Sequence, residues 1–393
     1  MRLQKKDFWK GFGAACVLMA VLYGGKHVMI QMHQLPPFSG EYAKLQLLET
    51  YLEDYYVDSY DADVTKEMMY AGLVAGIGDP YTYYLPEDSL KQQMETNSGH
   101  FVGIGVGIYA TDDGYITISD VTKGSPAEAA GIQIDDKIME VDGESIKGLS
   151  GADVSAKVKG EVGTDVTLGI YRKSVNDMKT ITVTRADIQV HTVAYEMLEN
   201  DMGYISISNF RENTYQQFEK ALETLQTEGM KGLILDLRAN TGGLVLAAHQ
   251  IGDRLLPEGT MVYTMDKEGH RQDTTCDAEY TDIPLVVLVN EHSASASEIL
   301  AGAIQDTGRG ELIGTTTFGK GLVQRLFALP DGSGLNVTIQ KYYTPKGTSI
   351  HGVGIEPDVY VEQAKEYQSQ KDIPKQQDVQ LQKAIEILKQ KMV

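Results

Sequence analysis

The chain has 393 residues, enough for two or three domains at ~100–200 residues each, and 42% of them are hydrophobic, so a real core can form. Its formal net charge of −20 leaves no broad basic footprint and speaks against nucleic acid as a partner. Its two cysteines, one of them inside an apolar run, exclude a scaffold built on disulfides.

The N-terminus departs from this acidity. Arg2, Lys5, Lys6, Lys10 and Lys26 stand against Asp7 alone, and "GFGAACVLMAVLYGG" between Lys10 and Lys26 is 15 residues without a charge. A basic flank ahead of a short apolar run is the pattern of an export signal, and the run is shorter than a spanning helix of ~20 residues. No clear small-x-small cleavage site follows. Residues 1–37 are therefore expected to form an uncleaved signal anchor and linker, with a cleaved signal as the second reading. Positive-inside logic puts the remainder outside the cytoplasm, anchored to the cell membrane or secreted.

Residues 38–92 read as helical. "YAKLQLLETYLEDYYVD" and "TKEMMYAGLVAGI" carry apolar residues at helical spacing, and the Gly and Pro of "GDPYTYYLP" stop the pattern. From 93 to 186 the pattern turns to short strands: "FVGIGVGIYA", "YITISDV", "KIMEVDG", "VTLGIYR" and "KTITVTRADI", interrupted by the helical "SGADVSAKVKG". That predicts a small, mostly β domain. From 187 to 362 strands alternate with helices. "GYISISNF", "GLILDLR", "PLVVLVN", "ELIGTTT" and "LNVTIQKYYT" are strands; "TYQQFEKALETLQTEG", "LVLAAHQIGDRLL" and "SEILAGAIQDTG" are helices. The alternation predicts an α/β domain with a largely parallel sheet. The tail, 363–393, ends in the helix-like "VQLQKAIEILKQ".

Open α/β sheets place sites at the carboxyl ends of their strands. Two segments lie there: "RANTGG" (Arg238–Gly243) and "EHSASAS" (Glu291–Ser297). In the second, Ser295 precedes Glu298 by three residues and an apolar run follows, which is a capping box and a sufficient structural reason for a serine. The cap does not exclude chemistry. A hydroxyl at a strand-to-helix corner sits where free N–H groups and the helix dipole favour an oxyanion.

A serine nucleophile needs a group to take its proton. Among the histidines, His292, His351 and His249 are candidates, yet none stands in a recognisable G-x-S-x-G setting. A lysine serves if burial lowers its pKa, and Lys320 in "TTFGKGL" is set among glycines and apolar residues. "GTTTFGKG" also reads as most of a Walker A loop, but Gly321 stands where Ser or Thr should hold magnesium, so the nucleotide reading is rejected. "RANTGG" reads either as an ordinary turn or as a glycine turn whose bare N–H groups face the site. No His/Cys cluster has metal-ligand spacing, and no metal or other cofactor is expected.

Together, "SASASEILAGAIQD", "TFGKGLVQ", "LILDLRANTGG" and "GVGIEPD" resemble the carboxyl-terminal processing proteases, peptidase family S41, over residues 40–362. "SPAEAAGIQIDDKIMEVDG" is similar to the PDZ domain of that family. The resemblance implies an α/β (crotonase/ClpP-like) protease core with an inserted PDZ domain and helical segments at both ends. It implies a serine endopeptidase with Ser295 as nucleophile, Lys320 as base and Gln324 supporting the lysine. The oxyanion hole falls on Ala296 and on Gly242 or Gly243. Thr241 stands where the family has proline, and Asp306 matches an acidic position near the site. The PDZ domain is expected to hold a substrate carboxylate at Val102, Gly103, Ile104 and Gly105 and so to dock, and in some members gate, the substrate. The partners implied are proteins or peptides with a free C-terminus, and a second copy of the chain through the terminal helices. The competing readings are an inert membrane-anchored PDZ scaffold and a hydrolase with a histidine base.

Overall fold

The computed structural model describes residues 42–367 and 373–392, so the expected anchor lies outside the described residues. Two compact units divide the chain, 1–69 and 70–393. In the first, α1 (Ala43–Tyr55) is followed by α2 (Ala62–Ala75), which runs on into the second. Both helices fall where the apolar spacing puts them. Leu48, Tyr51, Leu52 and Tyr55 of α1 are exposed. Among the described residues no helix is long and apolar enough to cross a membrane.

The second unit opens with β1 (Tyr83–Leu85), α3 (Glu87–Ser98) and β2 (His100–Gly103). The mostly β region follows: β3 (Val106–Ala110), β4 (Ile116–Val121), α4 (Pro126–Ala129), β5 (Lys137–Val141), β6 (Glu144–Ser145), α5 (Gly151–Val158), β7 (Asp165–Arg172) and β8 (Asp177–Thr184). Its sheet runs β3-β4-β5-β7-β8, with β6 on β5. Ile116, Ile118, Val166, Leu168 and Val154 fill one core beneath it. β9 (Ala186–Gln189) pairs antiparallel with β2, so the two chain passages into and out of this region form one ribbon.

The remainder holds β10 (Val193–Leu198), β11 (Met202–Ile207), α6 (Thr214–Thr227), β12 (Gly232–Asp236), α7 (Val245–Leu255), β13 (Gly259–Met265), β14 (Arg271–Cys276) and β15 (Leu285–Val289). Then come α8 (Ala296–Asp306), β16 (Glu311–Gly314), β17 (Leu322–Ala328), β18 (Gly334–Tyr343), β19 (Val359–Tyr360) and α9 (Val379–Lys391). The main sheet runs β10-β11-β12-β15-β16-β19 and is parallel except for β10 against β11. Every residue of β12 and of β15 is buried, as continuous apolar strands covered on both faces must be. Core residues of α6, α7 and α8 pack on one face and those of α9 on the other.

A second sheet, β1-β18-β13-β14 with β17 on β18, carries the chain on either side of the site. The hairpin β13–β14 is not among the strands read from the sequence. β14 is "RQDTTC", largely exposed and polar, and offers no apolar alternation.

Candidate active site

The two segments at the carboxyl ends of β12 and β15 meet. Ser293 and Ser297, both fully buried, rivet them together. The Ser293 hydroxyl donates to the Leu237 carbonyl at 2.8 Å, and the Ser297 hydroxyl to the Asn240 carbonyl at 2.8 Å. The Ala294 N–H also donates to the Asn240 carbonyl, at 3.0 Å. Two of the three serines are therefore structural.

Ser295 differs from both. It is half-buried, and its backbone stands at φ 56°, ψ −115°, a left-handed conformation that costs a non-glycine residue of order 1–3 kcal/mol and persists only where the surroundings impose it. The hydroxyl lies over the third amide of α8 in the manner of a capping box, but no hydrogen bond of ordinary geometry forms to it. The Glu298 N–H donates instead to the Ser295 carbonyl, at 2.9 Å. The strained corner thus presents an uncommitted hydroxyl at the helix start.

The glycine turn lies directly against this corner. A Cβ on Gly242 (φ 101°) would sit 2.7 Å from the Ala294 carbonyl oxygen, 2.8 Å from the Ser295 Cβ and 3.0 Å from the Ala296 nitrogen. Only glycine fits there. Gly243 (φ 134°) is pressed as closely on Phe210, whose carbonyl oxygen would lie 2.1 Å from an added Cβ. The Gly242 N–H is taken by Asn240 Oδ1 at 2.9 Å. The amides of Gly243 and Ala296 donate to no acceptor among the described residues. Thr241 occupies the turn without loosening it, because the fully buried Asn240 holds both Gly242 and the Ile207 carbonyl.

Lys320 lies in the loop between β16 and β17. Its Nζ sits 4.4 Å from the centroid of the Tyr81 ring, and no hydrogen bond joins it to Ser295 Oγ. Burial pushes the amine below the ordinary lysine range, while the charges of Asp79 and Glu298 pull it back up. Asp79 is a firm anion: burial opposes this, but hydrogen bonds from Thr338, Thr82 and the Tyr81 N–H hold its carboxyl below the usual range. Gln324 forms no hydrogen bond to Lys320 among the described residues. Its Nε2 donates to Thr338 Oγ1 at 3.2 Å, the Thr338 N–H donates to the Thr82 hydroxyl at 3.0 Å, and that hydroxyl donates to Asp79 at 2.7 Å.

Two residues join Ser295 and Lys320, and the sequence reading assigned neither this part. Glu298 is fully buried, and its carboxylate accepts from both loops. Oε2 takes the Ser295 N–H at 2.8 Å and the Lys320 N–H at 2.9 Å, while Oε1 takes the Gly319 N–H at 2.7 Å and the Thr317 hydroxyl. The buried Tyr342 hydroxyl lies between the carbonyl oxygens of Ser295 and Lys320. Burial, and then the charge of Glu298, hold it well above the ordinary tyrosine range, so it remains a phenol. S-x-x-E shows half of the Glu298 role; the other half needs the fold.

The histidines stand apart. His292 is exposed with Nε2 3.8 Å from Glu291, His249 Nε2 is engaged with the Thr275 carbonyl at 2.9 Å, and the His351 backbone packs beside Gly321. None bonds Ser295. Asp306 accepts the Lys346 N–H at 2.8 Å and serves a turn.

In the mostly β region, Gly103 ends β2 and Ile104 is buried in the core. The Ile104 and Gly105 carbonyls accept from Ala127 at 2.8 Å and Thr122 at 2.9 Å, leaving the two amides without an acceptor among the described residues. Gly105 has φ 87°, and a Cβ there would lie 2.3 Å from the Ser125 Cβ. Val102 pairs with Asp187 in the β2–β9 ribbon.

Comparison with known proteins identifies the family. The family description "Peptidase family S41" matches residues 201–361 and "PDZ domain" matches 117–172. The chain is 40% identical over 322 residues to a carboxyl-terminal-processing protease of Synechocystis, covering 80% of this chain and 75% of the relative. It is 38% identical over 311 residues to the carboxy-terminal processing protease CtpA of Bacillus subtilis, covering 79% and 66%. A crystal structure of a Bacteroides fragilis protein shares the fold, with a TM-score of 0.51 at 19% identity, over 91% of this chain and 99% of that one.

Proposed function

Because this chain belongs to the carboxyl-terminal-processing proteases of peptidase family S41 and is a serine peptidase acting on protein substrates, we propose that Ser295 is its nucleophile and Lys320 its base. The observation that carries the assignment is the contrast among the three serines. Ser293 and Ser297 spend their hydroxyls on carbonyls, whereas Ser295 keeps its own free on a strained corner beside two unoccupied amides.

The chemistry follows from the groups present. Neutral Lys320 swings from the Tyr81 ring to Ser295 Oγ and takes its proton as Oγ attacks the peptide carbonyl. The new oxyanion is held by the Ala296 and Gly243 amides, with the dipole of α8 behind the first of them. Lys320 returns its proton to the departing amine, and water then releases the acyl group by the same route. Gln324 acts on the lysine indirectly, through Thr338, Thr82 and Asp79. The Glu298 carboxylate and the Tyr342 hydroxyl keep the two loops in register through these steps.

The PDZ domain docks and senses the substrate tail as an added strand beside β3, its carboxylate on the Ile104 and Gly105 amides. The exposed apolar residues of α1, with the C-terminal helix, form a homodimer contact. Residues 1–37 anchor the enzyme to the outer side of the cell membrane. The test is cleavage of a peptide with a free carboxyl end. Ser295→Ala and Lys320→Ala should each abolish it, and His292→Ala and His351→Ala should keep most of it. Full activity in Lys320→Ala would overturn the dyad; indifference to amidation of the substrate's C-terminus would overturn the docking.

A further inference from the structure

The stretch that carries the glycine turn holds a cation the mechanism does not use. The Phe210 N–H donates to the Gly242 carbonyl at 2.9 Å, and the Leu244 N–H donates to the Phe210 carbonyl at 2.7 Å, so Phe210 lies alongside Gly243. The Phe210 ring is buried in the core. The next residue, Arg211, is one residue from the glycine turn and opens the turn into α6, its N–H on the Thr214 hydroxyl at 2.8 Å.

Arg211 is half-buried and unpaired. Its Nε is shielded from solvent with no acceptor, and its guanidinium forms no hydrogen bond or ion pair among the described residues. This sets it apart. Arg172, Arg238, Arg254 and Arg271 hold carboxylates, and Arg185 and Arg309 hold carbonyls. Arg325 is exposed beside the Phe327 ring. Carboxylates are not scarce in a chain with 55 acidic residues against 35 basic ones. A sequestered cation left without one is costly unless something else supplies it. Burial alone pushes the group below the ordinary arginine range, with no neighbouring charge to offset it.

We propose that Arg211 is a specificity residue, whose guanidinium binds a carboxylate of the peptide held at Ser295. The planar fork of donors matches a carboxylate in bidentate fashion. The ligand is either the chain-terminal carboxylate of the segment being removed or an acidic side chain near the cleaved bond; the chemistry is the same. The inference rests on Ser295 being the nucleophile.

The experiment compares full-length wild type, Arg211→Gln and Arg211→Lys on matched short peptides. One pair differs as free acid against C-terminal amide. The others differ as Asp against Asn at successive positions around the cleaved bond. The wild type should prefer one carboxylate-bearing member. Arg211→Gln should raise KM for that member by about tenfold, the size of a lost charge-assisted hydrogen bond, and leave its neutral partner unchanged. Arg211→Lys should retain part of the preference. Which pair responds identifies the source of the carboxylate. An intact preference in Arg211→Gln, or equal losses on both members of every pair, overturns this inference alone. Cleavage that survives in Ser295→Ala overturns the reading beneath it as well.

Discussion

Glu298→Gln isolates the clamp between Ser295 and Lys320. The substitution keeps the shape of the side chain but replaces one acceptor oxygen with an NH2 donor. In the native structure Oε1 accepts from Gly319 and Thr317, and Oε2 from Ser295 and Lys320. Whichever way the amide is turned, two donors lose their acceptor and face a donor instead. A buried donor left unsatisfied costs ~1–3 kcal/mol, so two cost roughly 2–6 kcal/mol. If the amide turns its nitrogen toward Ser295 and Lys320, both catalytic loops are pushed apart at their own backbone. A misplacement on the order of 1 Å at a reacting group costs about a hundredfold in rate. We expect kcat to fall by roughly that factor, with a lower urea midpoint and KM little changed. The assay is steady-state cleavage of one peptide alongside urea unfolding. A Glu298→Gln enzyme within a few-fold of wild type in kcat, with the same midpoint, would refute the clamp.

Three further outcomes follow from the same geometry. Gly242→Ala drives a Cβ into the Ala294 carbonyl and the Ser295 Cβ at φ 101°; peptide cleavage should fall below detection while the circular dichroism spectrum stays folded, and retained turnover would contradict the fit of the turn. Because burial depresses the Lys320 amine, kcat/KM should rise with pH to a midpoint below 10.5. Asp79→Asn, which removes an anion that raises that pKa, should move the midpoint down, and an upward move would contradict the arrangement. Arg238 lies between the buried Asp236 and Asp378, tying β12 to the start of α9. Burial would raise the Asp378 carboxyl, but Arg238 and the Leu381 N–H hold it below the usual carboxylate range. Its stabilisation is therefore present above ~pH 3.9 and lost as pH falls through the depressed folded value. Asp378→Asn should cost about 3 kcal/mol at neutral pH in a denaturant titration and flatten the acid limb of the stability profile; an unchanged acid limb would contradict the pairing.

Much of the fold is legible because its determinants are local. The continuous apolar runs of β12 and β15, the 3.6-residue spacing of α6, α7 and α8, and the Gly229 stop after α6 all lie within short windows. β14 is missed because an exposed polar strand gives no periodicity. At the site, S-x-x-E locates the helix start but leaves the three serines alike. Their roles part only through carbonyls 56 and 57 residues away, at Leu237 and Asn240. Both glycines of "RANTGG" look equally fit as donors until Asn240 is seen to occupy one of them. Gln324 four residues after Lys320 suggests direct support, whereas the bulge between Val323 and Gln324 in the pairing with β18 accompanies an amide that bonds Thr338. Glu298 reads as a cap because only its nearer partner lies within the window; Gly319 and Lys320 are more than 20 residues on.

The most direct test of the Ser295–Lys320 assignment is rapid-quench mass spectrometry of the enzyme during turnover of a cleavable peptide. The wild type should carry the N-terminal fragment of the substrate on the proteolytic segment containing Ser295. Lys320→Ala should show no such adduct on the timescale of wild-type turnover. An adduct on another residue, or one on Ser295 that forms at an undiminished rate without Lys320, would contradict the account.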